Sequence, residues 1–362
     1  MRKAIRILLM GIVMAAMLSA CATPTPTAAP TKVPPTTAPA TVEPPTAEPP
    51  TAEPTKEMIH IKIGVLNYIS HAPMFIARDE GYFAEQGLDV ELVDFGSTTT
   101  LVIPSLLSGE LDISSTAMSV GFFNAVAQGG NLKWVADKGF YDPNNCVTDA
   151  FVISAAMAAA GEPTADTIRG KVMVFPPGDT FEYMADTLLA SYGLTQADVK
   201  PTLVADSPAR IEGLKNGSID ISILGEPWIS RAKAEAGAVA QWPLSSIAPG
   251  VSGAMIAFGP NVLEKNPDVG VRFMVAYLKA IQKFNEGKSD RTVEIISAYT
   301  KLEPEKVKNS CWTSFRPDGM IDTAGLMAFQ EWGLGKGYIN SKVELDQVWT
   351  SEFLEQAMAA LK

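Results

Sequence analysis

Two stretches of the chain place an aspartate in the same setting: LLSGELDIS at 106–114, with Asp112, and LKNGSIDIS at 214–222, with Asp220. A matched pair of carboxylates suggests acid–base work, because surroundings that drive two pKa values apart yield an acid and a base. Their positions argue otherwise. Each Asp follows a helix stop at Gly109 or Gly217 and opens a short apolar run. It therefore sits where a strand starts, whereas ligands in open α/β sheets bind beyond the strand ends. Both aspartates read as structural. Other reactive types are sparse, with two histidines and three cysteines in 362 residues. Lys62 falls inside a strand pattern, and no Ser/His/Asp constellation or metal-ligand spacing stands out.

The elements around these aspartates form a repeating series. IHIKIGVL (59–66) reads as a buried strand, and PMFIARDEGYFAEQG (73–87) as one helix with Pro73 in its first turn and Gly87 as its stop. Strands at 88–95, 111–116 and 132–139 then alternate with helices at 100–109 and 120–130. The pattern restarts after residue 150, with strands KVMVFPP, VKPTLVA and IDISILG separated by the helices TFEYMADTLLASYG and SPARIEGLKNG. Such alternation predicts two α/β lobes with mostly parallel sheets flanked by helices. The repeated phrase occupies the same place in each. It aims a loop, TAMS (116–119) in one lobe and GEPW (225–228) in the other, toward a cleft between them.

The ends of the chain add a location. Arg2, Lys3 and Arg6 precede an apolar run and LSAC, which resembles a lipobox with Cys21 as the lipidated residue. Residues 1–20 read as a signal peptide. Residues 21–57, nearly all Pro, Thr and Ala after the cysteine, read as a stalk without apolar residues to bury. The expected location is the extracytoplasmic face of the cell membrane, held by a lipid anchor. The net charge of −11 becomes more acidic once the basic leader is removed, which excludes a nucleic-acid partner. Cys146 and Cys311 are available to pair, but sequence separation leaves their distance open.

NYISHAPMFIARDEGYFAEQGLDVELV, LLSGELDIS with TAMS, and LKNGSIDISILGEPW resemble the substrate-binding proteins of ABC importers in the sulfonate, nitrate and pyrimidine-precursor group. The resemblance covers about residues 58–360. It implies a two-lobed periplasmic-binding-protein fold of type II, closing on a small molecule and docking on a permease with its ATPase. Lobe 1 would comprise residues 58–150 with 256–362, and lobe 2 residues 151–255. The segments near 145–155 and 250–258 would cross between lobes, and the helices from Pro267 onward would return to the first.

The aromatic Tyr68 followed by His71-Ala72-Pro73 looks like the pyrimidine-precursor branch. A flat heterocycle needs stacking faces and a few hydrogen-bonding groups. The expected binding residues are Asn67, Tyr68, His71, Ser97, Thr98, Ser119, Tyr141, Asp179, Thr180, Glu226 and Trp228, with Phe140 and Phe181 divided between cleft and core. Arg and Lys are absent from 67–73, 96–100, 116–123 and 225–229, which disfavours sulfonate and nitrate. The ligand expected is a neutral aromatic vitamin or precursor, riboflavin first, because lipoproteins of this branch with such stalks resemble riboflavin-binding members; a thiamin pyrimidine precursor is the alternative. No cofactor is expected. The fold also includes thiamin-pyrimidine synthases, but those carry a cysteine cluster, whereas Cys311 stands alone in NSCWTSF. A surface adhesin would not need matched loops. Trp332 reads as core; Trp312, after a break, is open between core and a lid over the cleft.

Overall fold

A computed structural model describes residues 58–95 and 101–362. The leader, Cys21, the stalk and the candidate residues Ser97 and Thr98 lie outside the described residues. Strands β1 (Ile59–Val65), β2 (Leu88–Asp94), β3 (Ile113–Ala117) and β4 (Lys133–Asp137) come first. β5 (Asp149–Ile153), β6 (Val172–Val174), β7 (Lys200–Thr202), β8 (Ile221–Gly225) and β9 (Val239–Pro243) follow, and β10 (Ala254–Phe258) is last. They form two sheets of order β2-β1-β3-β10-β4 and β7-β6-β8-β5-β9.

The two sheets share one plan. β1 pairs in parallel with β2 and β3, and β6 with β7 and β8. The fourth strand of each, β10 or β5, runs antiparallel to both neighbours. Each sheet is therefore mostly parallel, as expected, with one reversed strand among its five. The reversal follows from the connections: β5 and β10 enter their sheets straight from a segment crossing between lobes, so they start at the edge where their neighbours end. Even the register shift recurs, at Ile256/Ala257 in one sheet and Phe151/Val152 in the other.

The repeated phrase does the same work twice. Gly109 and Gly217 end their helices at φ 76° and 80°, in the left-handed region that glycine enters without a Cβ penalty. Asp112 then accepts from the Lys62 backbone N–H at 2.7 Å, and Asp220 from that of Val172 at 2.9 Å. Each carboxylate joins the start of its own strand to the neighbouring one, and Ile113 and Ile221 point into the core. The structural reading of both aspartates holds.

One helix differs from its sequence pattern. The segment after β1 breaks at Gly81 (φ 78°) into Ala72–Asp79 and Tyr82–Glu85, which lets Phe75 and Phe83 both turn inward. The helix Pro267–Asn285 spaces Val269, Phe273, Tyr277, Ile281 and Phe284 along one buried face. Its Phe273 ring lies 5.6 Å from Phe83 and 5.7 Å from Phe258, so the C-terminal region packs onto the first sheet. Trp312 belongs to this core and is no lid: it is buried, donates to the Val307 carbonyl at 2.9 Å and stacks on Phe284. Trp332 is half-buried and donates to Asp186 at 2.7 Å, across to the helix Thr180–Ser191 of the other lobe.

Cys146 and Cys311 are disulfide-bonded across 165 residues of sequence. Closing so long a loop removes unfolded-state entropy, with native bridges contributing about 2–5 kcal/mol. Cys311→Ser should lower the unfolding free energy in guanidinium titrations by about that amount. Reductant should shift the wild-type midpoint the same way and leave the variant unmoved.

Candidate functional site

The parallel strands of both sheets end on a shared cleft, and ligand-facing loops are expected at such carboxyl ends. From the first lobe come residues 66–71 after β1, 118–119 after β3 and Lys138 after β4; from the second come 175–180 after β6 and 225–228 after β8. The lobes touch where Ser119 bridges Asp179. There Val120 N–H donates to the Gly178 carbonyl at 2.9 Å, and Thr180 N–H to that of Met118 at 3.0 Å.

The back of the cleft is a short ribbon built from the crossing segments. Lys138 N–H donates to Ala254, Gly253 N–H to Gly139, and Tyr141 N–H to Val251. A third piece joins through the Phe140–Ser314 bridge. Arg316 fastens all three: its guanidinium donates to Ser252 Oγ and the Gly250 carbonyl, lies 4.2 Å over the Phe140 ring and faces the buried Asp137 carboxyl at 3.5 Å. Burial pushes the Asp137 carboxyl up to about 6, with Arg316 opposing. Phe140 thus belongs to the ribbon.

The expected binding residues divide by what already holds them. Tyr68 is half-buried, and its phenol is pushed up by burial, with Arg210 and Asp149 of the other lobe near enough to act on it. Tyr141 is buried with its ring against Gly253, where a Cβ would come within 2.9 Å of the phenol oxygen. Its hydroxyl feels both Asp149 and Asp179 and is held far above the ordinary tyrosine range by burial. Asp179 caps the helix Thr180–Ser191 through the Phe181 and Glu182 N–H groups, yet burial raises its carboxyl to about 7. Tyr68, Tyr141, Asp149 and Asp179 thus lie near enough for the carboxylates to act on the two phenols.

Others are engaged elsewhere. Asn67 donates to Asp94, Thr180 Oγ1 to the Met118 carbonyl, and Ser119 caps the helix Val120–Ala127. Glu226 accepts from Ser230 N–H and Oγ at the start of the helix Trp228–Ala236, while its charge still raises Asp149. Trp228 is half-buried against the second lobe's core, with the Arg231 guanidinium 5.4 Å from its ring. Phe181 packs half-buried on the main core. His71 is fully buried, with Nε2 2.6 Å from Ser115 Oγ; burial holds its imidazole well below the usual range, so it is neutral.

Three charged cleft groups escape the sequence reading. Lys138 is 7% exposed and donates to Ser70 Oγ at 2.9 Å; burial lowers its ammonium to about 8. Asp149 opens β5 beside Gly225, and burial raises it to about 6. Arg210 is 9% exposed and donates to the carbonyls of Val204 and Ile223. The loops scanned for Lys and Arg omit all of these, so the cleft is not free of cations as expected. The signal was available for Lys138, which directly follows an apolar strand ending in Asp137. Among the described residues, no group of three His, Cys, Asp or Glu is placed to hold a metal.

A model described as the NMT1-like family matches residues 54–297. The chain belongs to the NMT1-like family. The nitrate import ATP-binding protein NrtC of Synechocystis sp. (strain PCC 6803) is 25% identical over 189 residues, which are 49% of this chain and 28% of that protein. The chain thus spans little more than a quarter of that curated relative's length. Among solved structures, the ligand binding component of an ABC-type import system from Staphylococcus aureus, with zinc bound, superposes with TM-score 0.68 at 15% identity, covering 83% of this chain and 99% of that one. The periplasmic nitrate-binding protein NrtA from Synechocystis PCC 6803 gives 0.67 at 15%, covering 84% and 90%. At such identities the likeness establishes the fold. This NMT1-like chain has the two-lobed α/β fold of periplasmic binding proteins.

The buried carboxyls set a pH dependence. Asp137, Asp149 and Asp179 hold protons more tightly folded than unfolded, where a carboxyl titrates near about 3.9. In the window between that value and about 7, the native state binds more protons, so stability falls as pH rises. His71 opposes this below its ordinary value and Lys138 opposes it at about 8, two bases against three carboxyls. The ligand-free melting temperature should therefore rise as pH is lowered from about 8 to about 6. Asp179→Asn keeps an oxygen for the helix cap. It should melt above wild type at pH 8 and lose most of that advantage by pH 5, as read by circular dichroism.

Proposed function

We propose that the chain is the substrate-binding component of an ABC-type import system and that it captures a neutral aromatic heterocycle, with riboflavin as the first candidate. One observation carries the reading: Tyr68 from the first lobe, Asp149 and Asp179 from the second, and Tyr141 on the back wall converge on one cleft. A planar ring between tyrosines gains about 0.5–1.5 kcal/mol per aromatic contact beyond its burial. The Asp149 and Asp179 carboxyls, raised by burial to about 6 and about 7, accept from ring N–H groups and hydroxyls and, once ionised, oppose a second anion.

The lobes of this reading divide at the crossing segments, before β5 and before β10, so the ribbon fastened by Arg316 acts as the hinge. Tethering through Cys21 puts the cleft on the outer face of the cell membrane, where the closed form meets a permease and its ATPase. Binding rather than catalysis follows from groups that are already capped or neutral: His71 is bonded to Ser115, and Asp179 to two backbone amides.

A second reading has support of its own. Lys138 is a buried cation in the cleft, and two relatives named above handle nitrate, so a small oxyanion is the competing ligand.

Titrating the full chain with riboflavin while following flavin fluorescence separates the two, with a thiamin pyrimidine precursor, taurine and nitrate run beside it by calorimetry. Saturable quenching by riboflavin is expected, and Tyr68→Ala should weaken it at least tenfold, about 1.4 kcal/mol. Heat from nitrate or taurine with silent flavin would replace the vitamin reading by the oxyanion one. Heat from the pyrimidine alone would move the ligand to thiamin salvage.

A further inference from the structure

We infer that the Glu182 carboxylate is the node of a clasp, made of protein groups alone, that holds the two lobes together. The clasp sets how readily residues 178–180 of the second lobe part from residues 118–120 of the first. It favours no particular ligand and so goes beyond the capture reading.

A closed circuit of hydrogen bonds runs through both lobes. Val120 N–H donates to the Gly178 carbonyl at 2.9 Å, and Gly178 N–H donates in turn to Glu182 Oε2 at 2.6 Å. The Tyr338 hydroxyl donates to Glu182 Oε1 at 3.0 Å, and the Tyr338 carbonyl accepts from Asn124 Nδ2 at 2.8 Å. Asn124 lies one turn after Val120 in the helix Val120–Ala127, so the circuit closes on the first lobe. The turn that presents Tyr338 is itself fixed. Asn340 N–H donates to Asn124 Oδ1 at 3.0 Å, and the fully buried Gln330 side chain bonds both the N–H and the carbonyl of Val343. Gly178 permits the close approach at φ 74°, since a Cβ there would lie 3.0 Å from Val120 Cγ2.

Glu182 is 2% exposed, and a carboxylate so deeply placed needs its donors. Gly178, Tyr338 and Gln196 Nε2 supply them, so parting the lobes at Tyr338 strips a buried acceptor. Asp186, one turn further along the same helix, repeats the arrangement. It accepts from Trp332 Nε1 and Lys336 Nζ, both at 2.7 Å, and shares Gln196 Nε2 with Glu182. A ligand then meets lobes already paired, and less of its binding energy goes into bringing them together.

Amide hydrogen exchange of the full chain, with no ligand added, tests the clasp at Val120 and Thr180, whose N–H groups bond across the lobes. Trp332→Phe combined with Tyr338→Phe removes both aromatic donors and keeps a ring at each place. This double variant should exchange both amides at least tenfold faster than wild type, while amides within β3 and β8 keep their wild-type rates. Glu182→Gln, which turns one acceptor oxygen into a donor, should act in the same direction. Unchanged rates at Val120 and Thr180 in the folded double variant overturn the inference. An equal acceleration within β3 and β8 overturns it too, because these side chains would then serve general stability and no clasp. If the double variant fails to fold, Tyr338→Phe alone is read by the same two criteria.

Discussion

The Arg316 guanidinium holds together the three segments on which both lobes depend. It bonds Ser252 and Gly250 of one crossing segment, covers Phe140 of the other and faces Asp137 at the end of β4. A carboxyl as deeply buried as Asp137 is tolerable because that cation is beside it; removing one partner of such a pair commonly costs about 3–5 kcal/mol. The position of the pair is the more important point. The chain leaves the first sheet at Asp137 and re-enters it at Ala254, both on the cleft edge, so whatever fixes these points also fixes the back of the cleft. Lys138, Tyr141 and Gly253 take their places from it. The Cys146–Cys311 bond secures the far end of the same crossing segment to the C-terminal region.

A second set of contacts joins the lobes on the opposite flank of this ribbon. Trp332 and Lys336 reach Asp186 at 2.7 Å each, Tyr338 reaches Glu182 at 3.0 Å, and Tyr183 packs edge-on against Phe329 and Trp332. These side chains come from the helix Thr323–Gly335 and the turn after it. That segment also bonds the first lobe, where Asn124 donates to the Tyr338 carbonyl. This C-terminal element therefore bonds both lobes at once.

Sequence reading recovered the elements whose causes are local. The alternation of apolar runs with helical spacing and the glycine stops at 109 and 217 are decided within ten residues of themselves, and each stands as read; the strand-start aspartates also stand, though their partners lie about fifty residues away. The reversed β5 and β10 were not legible as such, because strand direction depends on which edge a crossing segment reaches. The break at Gly81 was missed since the apolar spacing continues through it, and only the φ of that glycine interrupts the helix. Of the expected binding residues, Tyr68, Tyr141 and Asp179 lie near one another, whereas Asn67, Thr180 and Ser119 are held by bonds, two of them long-range, that composition alone does not reveal. The failure over cleft cations has a physical cause: Lys138 and Arg210 arrive from a strand end and from inside a helix, places that a scan of loops excludes.

The repeated phrase explains why the cleft is asymmetric despite two lobes on one plan. Asp112 and Asp220, with their glycine stops, build equal frames, so differences must sit in the loops that the frames project. The first lobe projects Tyr68 and His71, the latter seated on Ser115; the second projects Asp179 and, from its reversed strand, Asp149. One wall supplies a ring face and a cation, and the other supplies carboxylates. On the proposed reading, a ligand with an apolar face and a polar edge would satisfy both walls at once only when the lobes are together. The chemistry that selects the ligand and the chemistry that holds the closed form are then the same set of contacts. An equal pair of walls would bind either half of such a molecule without closing. On the proposed reading, duplicating the frame and diverging the loops is what would couple recognition to closure.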